Sequence, residues 1–240
     1  MNAAFHNTIA LVTGGTRGIG LAIARLLLDR GACVAVSGVR DESVRSATEA
    51  LASYAERAIV IQADVRRPDE VERMVQETVT AFGGLDVLVN NAGIGRFVEL
   101  ADMSIEQWHE MIDTNLNGAF YCSRAAIPHV RRRKGGWIIN ISSLAGKNWF
   151  AGGSAYCASK AGLNAMSEAL MQEVRYDGIR VSTVMPGSVT TEFGGHEPGA
   201  ADSWKLAADD VAQVVVDLIG HDRRSLPSRV EIRPSQPRRK

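Results

Sequence analysis

Cysteine is scarce in this chain. Its three cysteines, Cys33, Cys122 and Cys157, sit far apart in 240 residues, with an odd total and no CxxC pair. That pattern excludes a disulfide framework and a zinc knuckle, and it fits a reducing, cytoplasmic compartment. The five histidines are scattered with no HxxxH pair, so no metal site is expected. Neither sign of charge predominates: 27 lysines and arginines balance 27 aspartates and glutamates. No global field therefore draws in nucleic acid or a membrane. The local basic runs RRRK (131–134) and PRRK (237–240) are read as a helix end, where cations offset the dipole, and as a solvated tail. No apolar run approaches the roughly 20 residues of a membrane span. The opening MNAAFHNT has neither a basic nor an apolar leader region, so no signal peptide is expected.

Hydrophobic residues make up 45 % of the chain, enough for a sizeable core. The length is near the upper limit for one core, so residues 1–240 are expected to form a single domain. Short apolar runs recur at 8–13, 33–38, 58–63, 85–90, 137–142, 179–184 and 229–233. Near-continuous apolar character without alternation marks strands covered on both faces. Helical patterns lie between them, such as Leu21, Ala24, Leu27 and Leu28, or Val71, Met74, Val75 and Val79. Strand alternating with helix predicts an α/β, doubly wound, Rossmann-type parallel sheet of about seven strands, with helices on both faces. Two long helices are expected, from about 104 to 134 through Asn115 and from about 154 to 177. Pro128 should bend the first near its end or mark a boundary. A further helix should begin near Asp209.

Residues 13–20 read TGGTRGIG and stand between the first strand and the first helix. There the backbone at Gly14, Thr16, Arg17, Gly18 and Ile19 can approach a pyrophosphate. The helix N-terminus offers free N–H donors, and Gly20 lets the helix pack close to the sheet. An ordinary glycine-rich turn is the bland alternative. An NAD site usually carries an acid after the second strand to bind the ribose 2′-hydroxyl. Here Gly38 holds that place, with Arg17 and Arg40 in reach, so NADP(H) is favoured and NAD(H) is the alternative. Asp64-Val65 follows the third strand, where the carboxylate could accept from an adenine amino group or simply turn the chain. Asn90, Asn91, Ala92 and Gly93 close the fourth strand. Their small residues permit a flat approach to the adenosine ribose, while the Asn side chains could equally bond neighbouring backbone.

Tyr156 and Lys160, four apart in a helical pattern, share one face. A free tyrosine titrates near pH 10. Bringing it toward neutrality takes roughly 3–4 kcal/mol of differential interaction, within reach of a close ammonium. Ser143, thirteen residues ahead of Tyr156, adds a hydroxyl for a substrate oxygen. All three should meet at the C-terminal ends of the strands.

TGGTRGIG, NNAG (90–93), Asn115 within TNLNG, the serine pair ending at Ser143, YCASK (156–160) and PGSVTT (186–191) occur in that order. Together they resemble the short-chain dehydrogenase/reductase family over nearly the whole chain. The likeness extends to its 3-oxoacyl-carrier-protein reductases and its reductases of small hydroxy acids and carbonyls. The resemblance implies that Tyr156 donates a proton to a carbonyl during reduction and removes it during oxidation. Lys160 would bond the nicotinamide ribose and lower the tyrosine pKa, so both residues also count as cofactor contacts. Ser143 would hold the substrate oxygen, and Asn115 would anchor a water leading from Lys160 to solvent. Pro186, Gly187, Val189 and Thr191 would lie along the nicotinamide, the Val189 backbone meeting its carboxamide. Residues 186–208 would form the substrate loop.

The resemblance also implies a small-molecule carbonyl or alcohol substrate, and a homodimer or homotetramer built through the two long helices. The chain departs from the fatty-acid-type reductases at its end, where SLPSRVEIRPSQPRRK replaces a glycine-rich VDGG-like segment. The stretch after Thr191 is short and holds Gly194, Gly195, His196, Pro198 and Gly199. Trp149, Phe150, Phe193 and Trp204 are candidates for the pocket wall, with ordinary packing as the alternative. Two rival functions fit the chain less well. A nicotinamide-binding sensor or scaffold commonly loses the tyrosine or the lysine, and this chain keeps both. A nucleotide-sugar epimerase or dehydratase needs a longer segment after residue 191.

Overall fold

The computed structural model describes residues 5–195 and 199–237. Seven strands form close to their expected limits: β1 (Ile9–Val12), β2 (Cys33–Gly38), β3 (Ala58–Gln62), β4 (Val87–Asn90), β5 (Gly136–Ile141), β6 (Ile179–Pro186) and β7 (Arg229–Ile232). They make one parallel sheet in the order β3-β2-β1-β4-β5-β6-β7. From β1 the chain builds outward through β2 and β3, then returns to place β4 on the other side of β1. The connections after β1 and β4 therefore leave toward opposite faces, and a crevice opens between them at the C-terminal ends. Parallel register aligns Val12 with Val36 and Val89, and Asn90 with Asn140.

Seven helices cover the sheet: α1 (Gly18–Asp29), α2 (Asp41–Ala50), α3 (Pro68–Phe82), α4 (Ile105–Ile112), α5 (Gly118–Arg132), α6 (Ser154–Val174) and α7 (Ala208–Ile219). Strand residues alternate between two cores. Ala10, Val12, Val36 and Val89 pack with Ile23, Leu27 and Leu28 of α1 and with Val211, Val215 and Val216 of α7. Leu11, Ala35, Leu88 and Ile138 face the other way, onto Met74 of α3, Cys122 and Ala126 of α5, and Leu170 and Met171 of α6. Helix limits follow ordinary signals. Pro68 opens α3 and left-handed Gly83 closes it, and Ser104 with Gln107 forms a capping box on α4.

The long helix expected over 104–134 runs from Ile105 to Arg132, with a π-helical turn inside it. That turn, over Asp113–Asn117, lies between α4 and α5 and holds Asn115. Its wider turn re-aims side chains, which is why such turns recur at functional sites. Pro128 lies inside α5, which continues to Arg132, so it does not mark the boundary. The RRRK run does end the helix. Arg131 pairs with Asp177 and Arg133 with Asp86, and Lys134 leaves in the left-handed conformation.

A buried polar ladder ties α5 and α6 to the sheet. Asn90 Nδ2 donates to Asn140 Oδ1 at 2.8 Å and to Ser123 Oγ of α5 at 3.0 Å. Asn140 Nδ2 donates in turn to Ser167 Oγ of α6 at 2.7 Å. Leaving such groups unpaired costs about 1–3 kcal/mol each, more than a satisfied bond contributes. Asn140→Ala is therefore expected to lower the unfolding free energy by roughly 2–3 kcal/mol in urea melts. An unchanged midpoint and slope would show that the ladder contributes nothing.

Candidate active site

A cleft of about 1220 Å³ runs along the C-terminal edge, from Ser37 and Arg40 past the glycine loop to Tyr156. That exceeds the roughly 300–1,000 Å³ of most ligand pockets and suits a large cofactor with a substrate beside it. Gly14, Thr16, Arg17, Gly18 and Ile19 line it, whereas Gly20 is buried behind. Gly14 has φ +60, and a Cβ there would lie 2.8 Å from Ala92 Cα. At Gly20 a Cβ would come within 2.5 Å of the Gly14 carbonyl and Asn91 Nδ2, so only glycine lets α1 approach. α1 has no side-chain cap and no acid in its first turn, which leaves its amides and positive end for an anion. The loop is braced from below. Thr13 Oγ1 accepts from the Asn91 and Ala92 amides, and Asn91 Nδ2 donates to the Thr13 and Gly14 carbonyls at 3.0 Å each. Asn91 thus acts through the loop, while Ala92 and Gly93 present the small surface expected of them. These features fit a dinucleotide.

At the far end, a Cβ on Gly38 would meet Thr16 Cγ2 at 2.6 Å and Oγ1 at 2.8 Å. The position where an acid would mark NAD binding is thus closed to any side chain unless Thr16 moves. Arg40 lines this end beside Ser43. Arg17 is turned across the cleft onto Glu192 at 2.8 Å. Asp64 and Val65 also line the cleft, but the Asp64 carboxylate is held by both the Nε and Nη2 of Arg66 and caps the Arg66 amide. Those bonds hold its pKa down against the opposing desolvation, which is the largest single influence. Asp64 thus turns the chain here with Arg66, a partner that carried no sequence signal.

Toward the other end, Tyr156 in the first turn of α6, Lys160 one turn on, and Ser143 just after β5 come together on the cleft wall. Lys160 is 4 % exposed, its Nζ donates to the Ile141 carbonyl at 2.9 Å, and it lies 5.9 Å from the centre of the Tyr156 ring. Burial brings its pKa down to about 8. Burial also pushes the Tyr156 phenol above its ordinary value, countered in part by a hydrogen bond with Ser143. The expected lowering of the phenol by Lys160 is thus not seen. Desolvation outweighs the hydrogen bond, and the ammonium is engaged with a backbone carbonyl. Asn115, almost fully buried, accepts from the Ile94 amide at 2.8 Å. It donates to the Ile94 carbonyl and to Ser159 Oγ of α6. It therefore joins the loop after β4 to the helix that carries Tyr156 and Lys160.

Pro186, Gly187, Val189 and Thr191 border the cleft at the exit of β6. Val189 bridges in parallel to Leu206, and Thr191 lies against Gly18. His196 and Pro198 fall outside the described residues. Phe150, Phe193 and Trp204 line the cleft, whereas Trp149 is 76 % exposed and does not. Phe97 had no sequence signal beyond its place after NNAG, yet its ring meets Tyr156 edge-on at 5.6 Å. Among the described residues no group of three or more His, Cys, Asp or Glu is placed to hold a metal. No helix among them is long and apolar enough to cross a membrane.

The short chain dehydrogenase profile matches residues 8–199, and the chain belongs to that family of oxidoreductases. It is 40 % identical over 196 residues to the 3-oxoacyl-[acyl-carrier-protein] reductase FabG of Chlamydia muridarum, covering 80 % of this chain and 78 % of that protein. An uncharacterized oxidoreductase of Staphylococcus aureus is 31 % identical over 94 % of this chain and 96 % of its own. A metagenomic short-chain oxidoreductase solved with NADP superposes with a TM-score of 0.85 at 36 % identity, covering 98 % of this chain and 100 % of that one. An alcohol dehydrogenase from Thermococcus sibiricus, solved with 5-hydroxy-NADP, superposes with a TM-score of 0.89 at 28 % identity, covering 97 % and 99 %.

An unfolded lysine keeps its proton to about 10.5, whereas Lys160 in the folded chain releases it near 8. The penalty for burying the charge is complete below pH 8 and fades as pH rises between the two values. Relative to Lys160→Met, the native chain should gain up to roughly 3 kcal/mol of stability across that window. The measurement is urea unfolding of both proteins from pH 7 to 10. A difference that did not vary with pH would contradict it.

Proposed function

We propose that this chain is an NADP(H)-dependent oxidoreductase interconverting a ketone or aldehyde and its alcohol, with Tyr156 as the acid and base. The observation that carries the reading is the meeting of Ser143, Tyr156 and Lys160 in the same cleft as the glycine cradle. A bound nicotinamide cofactor would supply or accept the hydride. Burial keeps the Tyr156 phenol protonated through neutral pH, the state a proton donor needs for carbonyl reduction. The Ser143 hydroxyl, on the same cleft wall as that phenol, would hold the carbonyl oxygen beside it. Once the proton has left, a lone phenolate in that environment would be costly. With the Lys160 ammonium alongside, the pair carries no net charge. Because Lys160 titrates near 8, reduction should decline as pH rises through that value.

Asn115 would act by fixing the loop over α6 and, as the family resemblance implies, by anchoring a water toward Lys160. Pro186, Gly187, Val189 and Thr191 would border the nicotinamide, and residues 186–208 would form the substrate loop. Preference for the 2′-phosphate rests on Gly38, closed by Thr16, and on Arg40 and Arg17. The NADP in related structures supports it. A phosphate dianion would compete with Glu192 for Arg17. The relatives named as 3-oxoacyl-carrier-protein reductases favour a narrower second reading, in which the carbonyl belongs to an acyl thioester. Assembly as a dimer or tetramer through α5 and α6 goes with the family reading, and a monomer by light scattering at micromolar concentration would contradict it.

Tyr156→Phe should lower kcat by about 10²–10⁴-fold while leaving the dissociation constant for NADPH within a few-fold. Near-native turnover of an accepted carbonyl would refute the assignment. Arg40→Ala should raise KM for NADPH by about tenfold, the cost of one exposed charge-assisted contact. KM for NADH should stay where it is, and a parallel rise for both would place Arg40 elsewhere than at a 2′-phosphate.

A further inference from the structure

Three large apolar side chains stand exposed together in the substrate half of the cleft. Phe97, Phe150 and Phe193 are 53 %, 48 % and 38 % exposed and come from three different connections, after β4, β5 and β6. Phe97 meets the Tyr156 ring edge-on at 5.6 Å, and Phe193 lies against it at 5.7 Å and 56°. Phe150 tilts onto Phe97 at 5.7 Å. Two of the rings are seated by glycines. A Cβ on Gly95 would be 2.4 Å from the Phe193 ring, and one on Gly153 would be 2.5 Å from the Phe150 ring. Side chains at those two positions would push the rings away, so the backbone holds this wall around the phenol.

The charges beside the wall point the same way. Arg233 is paired with Glu231, and Lys205 with Asp202. These two cleft-lining cations are therefore already engaged by carboxylates. A carboxylate-bearing or phosphate-bearing substrate would have to break such a pair. A neutral, flat one would only displace water from aromatic faces, and ring-on-ring contact adds to that gain.

Resting on the oxidoreductase reading above, we propose that Phe97, Phe150 and Phe193 select a neutral carbonyl compound with an aromatic ring next to the reacting carbon. The carbonyl lies against Ser143 and Tyr156, and the ring lies within the phenylalanine wall. In reduction the carbonyl carbon gains hydride from the nicotinamide, its oxygen gains the Tyr156 proton, and the cofactor is oxidised.

The test compares NADPH-dependent reduction of 1-phenylpropane-1,2-dione, butane-2,3-dione, phenylglyoxylate and acetoacetyl coenzyme A. The phenyl diketone should exceed butanedione in kcat/KM by about tenfold or more, the scale of one well-packed ring. It should also exceed the anion and the thioester. Phe97→Ala and the milder Phe97→Leu and Phe150→Leu should shrink the advantage over butanedione to about threefold or less. An unchanged melting temperature and an unchanged NADPH dissociation constant in each variant guard against a folding defect. An advantage that survives all three variants, or a better rate with phenylglyoxylate or the thioester, overturns the proposal. If no carbonyl is reduced, the reaction reading fails instead, and calorimetric binding with NADP+ present decides the wall. Tighter binding of the phenyl diketone that is lost in Phe97→Ala sustains it, and equal binding of the two diketones overturns it.

Discussion

The Lys160 ammonium sits where solvent scarcely reaches, answered by one backbone carbonyl. A hydrogen bond to a charged group contributes about 1.5–3 kcal/mol, less than removing that charge from water costs. The position holds only because the elements around it are rigid. Ser159, in the same turn, donates to the Tyr156 carbonyl and accepts from Asn115. Further along α6, Ser167 is held by Asn140 of β5. The helix cannot slide along the strand ends without breaking these buried bonds. Tyr156, one turn before the lysine, takes its place from the same constraint, and its burial reinforces the protonated state that an ordinary phenol already holds near neutrality.

The other half of the cleft uses steric exclusion rather than charge. Glycine at 20 lets α1 approach the loop, and Thr16 fills the space above Gly38. The loop itself is held by Thr13 and Asn91 from the neighbouring strand connection. The two halves meet through the connection after β4. Asn91 braces the phosphate loop there, and Ile94 is clasped by Asn115. One short segment thus fixes the distance between the glycine loop and the Ser143, Tyr156 and Lys160 group.

Much of this was legible along the chain. The seven apolar runs became the seven strands, because residues buried on both faces need no alternation. TGGTRGIG and the Tyr156–Lys160 spacing lie where their local chemistry required. Other features were not legible. The helix through Asn115 widens into a π-turn there, and the Asn115 amide meets Ile94 and Ser159, partners 21 and 44 residues away. The bidentate grip of Arg66 on Asp64 joins two ordinary-looking charged residues. Trp149 and Phe150 are adjacent in sequence, yet only Phe150 turns into the cleft.

Fold class, the succession of strands, the glycine loop after the first strand and the Tyr156–Lys160 spacing follow from sequence alone, because each rests on spacing within a few residues or on composition. The aromatic wall, the direction in which burial moves the tyrosine, and the pairing of the cleft's cations belong to the tertiary structure. Each is a sum over groups brought together from distant segments. Desolvation and side-chain contact depend on that three-dimensional neighbourhood, which no local pattern records.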